Sequence, residues 1–161
     1  MKWFSVVGWL CAGVVGSLSF WLFQILTGDS TIPQFMGEQI AARGGYGVRW
    51  APLIGWGVHL GVSLSYALLF AVIIAVLPTR SSAATLGAGL VLAAILGWIT
   101  TLLTTLAITA TISILSGQGF LAELPGLNTG VDLPLYNHLL FFGVVWVFTA
   151  LVPALVQPPG D

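Results

Sequence analysis

The chain has 161 residues, of which 58% are hydrophobic and only 6% are charged, and its mean hydropathy is +1.04. A soluble domain carries about 25% charged residues, so this composition excludes an ordinary soluble protein and predicts a membrane protein. The net charge of −1, without any basic cluster, excludes an electrostatic surface for nucleic acid or for anionic lipid.

The first predicted membrane span covers residues 3–26 and follows the basic residue Lys2. It is longer than the roughly 7–15 apolar residues of a signal peptide, and no small-residue cleavage site follows, so we expect it to be retained. A polar loop with four charges comes next. Within this loop, residues 32–42 place apolar side chains at helical spacing, which predicts a short interfacial helix.

The second predicted span covers residues 52–77, with Pro52 in its first turn and Pro78 directly after it. A third charge-free stretch covers residues 81–122. Two crossings would need a turn near its middle, but residues 98–116 contain neither proline nor glycine. We therefore predict one long helix over residues 83–115.

A loop rich in glycine, proline and asparagine leads to the fourth predicted span, residues 135–156. The predicted fold is all-α: a single transmembrane domain over residues 1–161, a polytopic four-helix bundle built from two helical hairpins. Lys2 and Arg80 lie in short segments on one side of the four spans, so the positive-inside rule predicts an inner-membrane protein with both termini in the cytoplasm.

Small residues recur every fourth position in three of the spans, which is typical of closely packed membrane helices. In the first span they are Gly8, Ala12 and Gly16. We expect the third span to lie at the centre of the bundle, and the fourth, which is bulky on every face, at its periphery against lipid, a partner subunit or a second copy. The predicted packing residues are Gly57, Gly61 and Ser65 in the second span, and Gly89, Ala93, Gly97, Thr101 and Thr105 in the third.

The chain contains two histidines, His59 and His138, and each lies near the start of a predicted span. Aligning one histidine on the other brings the second and fourth spans into register. This predicts an internal repeat of two hairpins related by an axis along the membrane normal. The two entrances then share one face of the membrane, so the histidines can lie at similar depth.

These histidine segments carry a family resemblance. His59-Leu60-Gly61 followed by Tyr66, and Asn137-His138-Leu139 followed by Gly143, resemble segments of small uncharacterised bacterial four-helix inner-membrane proteins of the domain-of-unknown-function type. The resemblance implies the four-helix topology, and it implies no particular activity. Here Leu60-Gly61 shifts the usual glycine, and the second half lacks the tyrosine.

No motif of a hydrolase, a redox dithiol or a phosphate-binding loop occurs, and no charged residue lies within a predicted span. We therefore expect no catalytic residues, and the sequence favours an accessory, structural or assembly subunit of a larger membrane complex. The alternative is an electron-transfer subunit that binds one haem b between His59 and His138. A quinone, or a metal held with help from Asp132 or Glu38, would use the same two histidines. A satisfied interfacial role for each histidine also stays open.

Overall fold

The computed structural model describes residues 2–28, 30–78 and 81–151, with side chains over most of these ranges. The described residues form helices and connecting segments without any strand, so the all-α prediction is confirmed for them. A 3-10 turn precedes the third helix and a π-helical turn, Val147–Leu151, follows the fifth. The helices are α1 (Lys2–Thr27), α2 (Ile32–Gly44), α3 (Ala51–Val76), α4 (Ser82–Leu115) and α5 (Leu133–Trp146).

Three of these helices, α1, α3 and α4, are long and apolar enough to cross a membrane, as expected of a membrane protein. The fourth predicted span begins as α5, which together with the start of the π-helical turn forms a shorter apolar helical stretch, Leu133–Thr149. Residues 152–156 of that span lie outside the described residues. The fourth crossing, and with it the arrangement as two hairpins, stays a prediction.

The prediction of one uninterrupted third helix is confirmed, because α4 runs for 34 residues. It begins where the Ser81 hydroxyl accepts a hydrogen bond from the Ala84 backbone N–H at 3.2 Å. At 1.5 Å per residue it is about 50 Å long, well beyond a bilayer core of about 30 Å. Because Thr101 of α4 lies beside His138 in the first turns of α5, the C-terminal part of α4 extends past the start of α5.

The predicted centre of the bundle is wrong: α5 packs against both α1 and α4, whereas α4 contacts mainly α5. Phe142 and Val145 of α5 are fully buried. The reason is complementary size. A Cβ atom added to Gly97 would lie 2.8 Å from Leu139 Cδ2, and one added to Gly89 would lie 2.7 Å from Trp146 Cδ1. The small residues of α4 thus form the notch that receives the large side chains of α5.

The two predicted small stripes have different surroundings. In α4, Ala93 is 4% exposed and Thr101 is 1% exposed, whereas Thr105, at the end of the predicted set, is exposed. In α3, Gly57, Gly61 and Ser65 are all exposed. Apart from the adjacent residues and the backbone of α3 itself, no heavy atom of the described residues lies within 4 Å of a Cβ atom added to Gly57 or Gly61. The α3 stripe therefore makes no helix contact within the described part of the chain, contrary to expectation.

The short helix predicted over residues 32–42 is α2, which packs closely on α3. The two backbones approach so closely that a Cβ atom on Gly37 would collide with the Ala51 carbonyl, and one on Gly55 with the Pro33 carbonyl. The side chains of Met36 and Ile40 then form one apolar cluster with Ile112 of α4.

A second and larger apolar cluster lies at the other end of the bundle. It combines residues of α1, α3, α4 and α5, including Ala12, Phe70, Leu96 and Phe142. The two clusters are separate sets of buried residues. The histidines lie between these clusters.

Candidate functional site

A cavity of ≈ 260 Å³ lies between the two apolar clusters and is bordered by all five helices. Most of its wall is apolar, with several polar side chains reaching it. This combination is typical of a small-molecule site. The residues that line it are Phe20, Gln24, Ser30, Ile32, His59, Val62, Ser63, Tyr66, Thr104, Ala107, Ile108, Leu133, Pro134, Asn137, His138 and Phe141.

His138 comes from the first turns of α5, where Pro134 leaves the helix start without an N–H to satisfy. Its Nδ1 lies 2.7 Å from the Pro134 carbonyl oxygen and 3.3 Å from Thr101 Oγ1. A carbonyl can only accept, so Nδ1–H is the donor. The Thr101 hydroxyl itself donates to the Gly97 carbonyl at 2.7 Å. The neutral ring therefore keeps its lone pair on Nε2, on the edge turned away from the Pro134 carbonyl.

His59 comes from α3 and is 8% exposed. Its Nε2 lies 3.3 Å from the Ser17 carbonyl oxygen of α1, and the same reasoning makes Nε2–H the donor. The free lone pair of the neutral ring is then on Nδ1. The rings of Phe20 and Trp56 pack against this imidazole, at centroid distances of 5.5 Å and 5.8 Å.

Phe20 brings the two predicted site residues together. Its ring centroid lies 5.5 Å from that of His59 and 5.5 Å from that of His138. Histidines that are distant in sequence therefore border one cavity, and each is fixed by a backbone carbonyl of a neighbouring turn or helix.

Asn137 adds a polar group that needs a partner. Its side chain is 3% exposed and lines the cavity, and its Oδ1 has no hydrogen-bond partner among the described residues. A buried carbonyl oxygen without a donor costs about 1–3 kcal/mol. A bound molecule that donates to this oxygen would remove the cost.

The cavity reaches the surface where its lining residues are exposed: at Ser30, in the segment between α1 and α2, and between α3 and α4, which make few contacts with each other. Val62 of α3 is 41% exposed and Ala107 of α4 is exposed, and both also line the cavity. Both residues belong to long apolar helices that fit membrane spans. The opening between α3 and α4 therefore lies on the lateral surface of the bundle.

The carboxylates considered with the histidines are placed elsewhere. Asp132 and Glu38 do not line the histidine cavity, and Glu38 instead accepts a hydrogen bond from Gln34 Nε2 at 3.0 Å. Among the described residues, no group of three histidine, cysteine, aspartate or glutamate side chains could hold a metal ion.

Sequence reasoning assigned no role to Phe20, Gln24 or Asn137. Phe20 could not have been identified, because a phenylalanine in an apolar helix carries no signal of what it contacts. The amides could have been, since Gln24 and Asn137 lie inside apolar helices, where a polar side chain indicates a partner. Gln24 Oε1 accepts a hydrogen bond from the Ile32 N–H at 2.9 Å, and so joins α1 to the start of α2.

Comparisons with protein-family models, with curated proteins and with solved structures give no match.

Proposed function

We propose that the chain is a non-catalytic membrane subunit that binds one small, largely apolar molecule in the cavity between His59 and His138. The observation that carries this proposal is that Asn137 Oδ1 has no partner among the described residues. Its side chain lines the same largely apolar cavity as two imidazoles that are each held by a backbone carbonyl. Fixed polar groups in an apolar cavity orient a ligand, and an empty site leaves them unsatisfied.

The size of the cavity favours a single-ring ligand. Its volume of ≈ 260 Å³ lies just below the range of about 300–1,000 Å³ for sites of drug-sized molecules. Under the predicted orientation with cytoplasmic termini, the ligand would bind near the outer face of the inner membrane. Partner subunits or a second copy would cover the remaining exposed surface.

Haem b is the second candidate, and one observation favours it. Each imidazole is anchored through one nitrogen by a backbone carbonyl, as ligating histidines usually are. However, haem histidines normally ligate through Nε2, and that atom of His59 already donates to Ser17. A b-type reduced-minus-oxidised absorption spectrum that is lost in both His59→Ala and His138→Ala would establish haem in place of the single-ring ligand.

The binding proposal is tested by closing the mouth of the cavity. Para-octylphenol, a single-ring amphipathic molecule, should raise the unfolding midpoint of the detergent-solubilised protein, because it binds the folded state. Ala107→Phe should remove this shift by filling the opening. Ala94→Phe is the matched control, since Ala94 is exposed on the same helix outside the cavity, and it should keep the shift. An equal shift in both variants would overturn the proposal.

A further inference from the structure

Three hydrogen-bond acceptors belong to residues that line the cavity, which also carries groups able to donate, such as the Tyr66 hydroxyl and the Gln24 amide. With Nδ1 of His138 and Nε2 of His59 donating to carbonyls, the free ring nitrogens of both residues can only accept. Asn137 Oδ1 is a third acceptor, and no described residue donates to any of the three. A ligand that only accepts hydrogen bonds would leave all three atoms unsatisfied.

From this we infer that the cavity selects a membrane-dissolved molecule with a phenolic hydroxyl, which donates its hydrogen bond to His138 or Asn137. The inference rests on the proposed function and names the class of ligand. Asn137 and His138 are consecutive residues of α5 and both line the cavity, so one hydroxyl has two acceptors close to it.

Aromatic side chains favour a ring over an aliphatic alcohol. Phe20, Tyr66 and Phe141 line the cavity, and Tyr66 packs against Phe141 at a centroid distance of 6.5 Å. Offset and edge-to-face contacts with such rings stabilise a flat aromatic ligand by about 0.5–1.5 kcal/mol beyond the burial of its area.

The position of the mouth indicates how such a molecule would enter. Val62 and Ala107 border the opening on helices that fit membrane spans. A phenol with an alkyl tail can enter from the bilayer with its hydroxyl leading, while the tail remains between α3 and α4. Because α3 and α4 make few contacts with each other, there is room for the alkyl tail between them.

The experiment compares three tailed molecules that differ in the head group: para-octylphenol, its methyl ether para-octylanisole, and octanol. Their binding to the solubilised protein is measured by the shift in unfolding midpoint, with Ala107→Phe as the blocked variant and Ala94→Phe as the control. We expect the phenol to bind at least about tenfold more tightly than the ether, because the ether leaves the buried Asn137 Oδ1 unpaired. Octanol should bind more weakly than the phenol.

Two substitutions test which acceptor atoms determine the preference for the phenol. Asn137→Leu and His138→Phe each remove one hydrogen-bond acceptor by introducing an apolar side chain of similar size. Each should reduce the preference for phenol over ether at least threefold, and far-ultraviolet circular dichroism should show unchanged helix content. Loss of folding in one variant leaves the other as the test. Undiminished preference in the folded variants would overturn the inference.

The outcomes separate the two proposals. Equal binding of phenol and ether, abolished by Ala107→Phe, would overturn the donor inference and leave the binding proposal intact. If octanol bound as tightly as the phenol, the inferred preference for an aromatic ring would be overturned. Binding of all three that is unaffected by Ala107→Phe would overturn both proposals. Octylhydroquinone distinguishes two kinds of phenolic ligand. Tighter binding of octylhydroquinone than of para-octylphenol would indicate a quinol as the ligand, and weaker binding would indicate a simple phenol.

Discussion

The two halves of α5 differ in their surroundings although their composition is similarly apolar. The second half carries Phe142 and Val145, which are fully buried in the larger apolar cluster. The first half carries Asn137 and His138, which border a cavity. The C-terminal half of α5 is therefore tightly packed, whereas its N-terminal half borders a cavity and carries Asn137 Oδ1, which has no hydrogen-bond partner among the described residues. Local cost at one end is the usual mark of a binding site.

The packed end should lose the most stability on truncation. Phe142→Ala removes a fully buried ring that contacts Tyr66, Phe70 and Phe141. We expect a loss of about 2–3 kcal/mol in the free energy of unfolding, mostly from lost packing, since an unfolded helix would still be solvated by lipid. Denaturation in mixed micelles measures this.

Leu140→Ala is the matched control for that change, because Leu140 lies on the same helix and is 37% exposed. It should cost well under 1 kcal/mol. Equal losses from the two changes would mean that the second half of α5 is not packed more tightly than its exposed face.

The sequence predicted the helices better than it predicted their partners. Long apolar stretches and the proline in the first turn of α3 determined where helices begin and end, because those signals are local. The size of the side chains on α5 was read as a sign of lipid contact, whereas Leu139 and Trp146 fit opposite Gly97 and Gly89. Complementary size belongs to a pair of helices, so neither sequence segment shows it alone.

The site shows the same limit. Both histidines could be predicted, since they are the only ones in the chain and head two apolar stretches. The hydrogen bond of His59 to Ser17 joins α3 to α1 and so depends on tertiary structure, whereas that of His138 to Pro134 lies within the first turns of α5. The crossing of α2 over α3 at Gly37 and Gly55 was missed for a simple reason: isolated glycines do not form a repeating stripe.

The cavity end should respond with the opposite sign when its unpartnered atom is removed. Asn137→Leu replaces a buried amide by an apolar side chain, so the unliganded protein should gain about 1 kcal/mol in the free energy of unfolding. Asn128→Leu is the contrast, because Asn128 Oδ1 accepts from the Gly130 N–H at 3.0 Å and its loss should be slightly destabilising. A destabilising Asn137→Leu would mean that this amide has a structural role.

The smallest effect on the folded chain, and the sharpest test of association with other subunits, is expected from the exposed stripe on α3. Gly61→Leu adds a side chain whose Cβ atom meets no other described helix within 4 Å, so the stability of one copy should change by less than about 0.5 kcal/mol. Gly97→Leu makes the same change against Leu139 and should cost about 1–3 kcal/mol by overpacking.

Exposed small residues at a spacing of four allow a second helix to approach closely. Gly61→Leu should therefore reduce any species larger than the monomer in native gels in mild detergent, without loss of helix content. If the native chain runs as a monomer at every detergent concentration, or if Gly61→Leu leaves the larger species unchanged, this stripe does not hold a partner and its exposure only reflects contact with lipid.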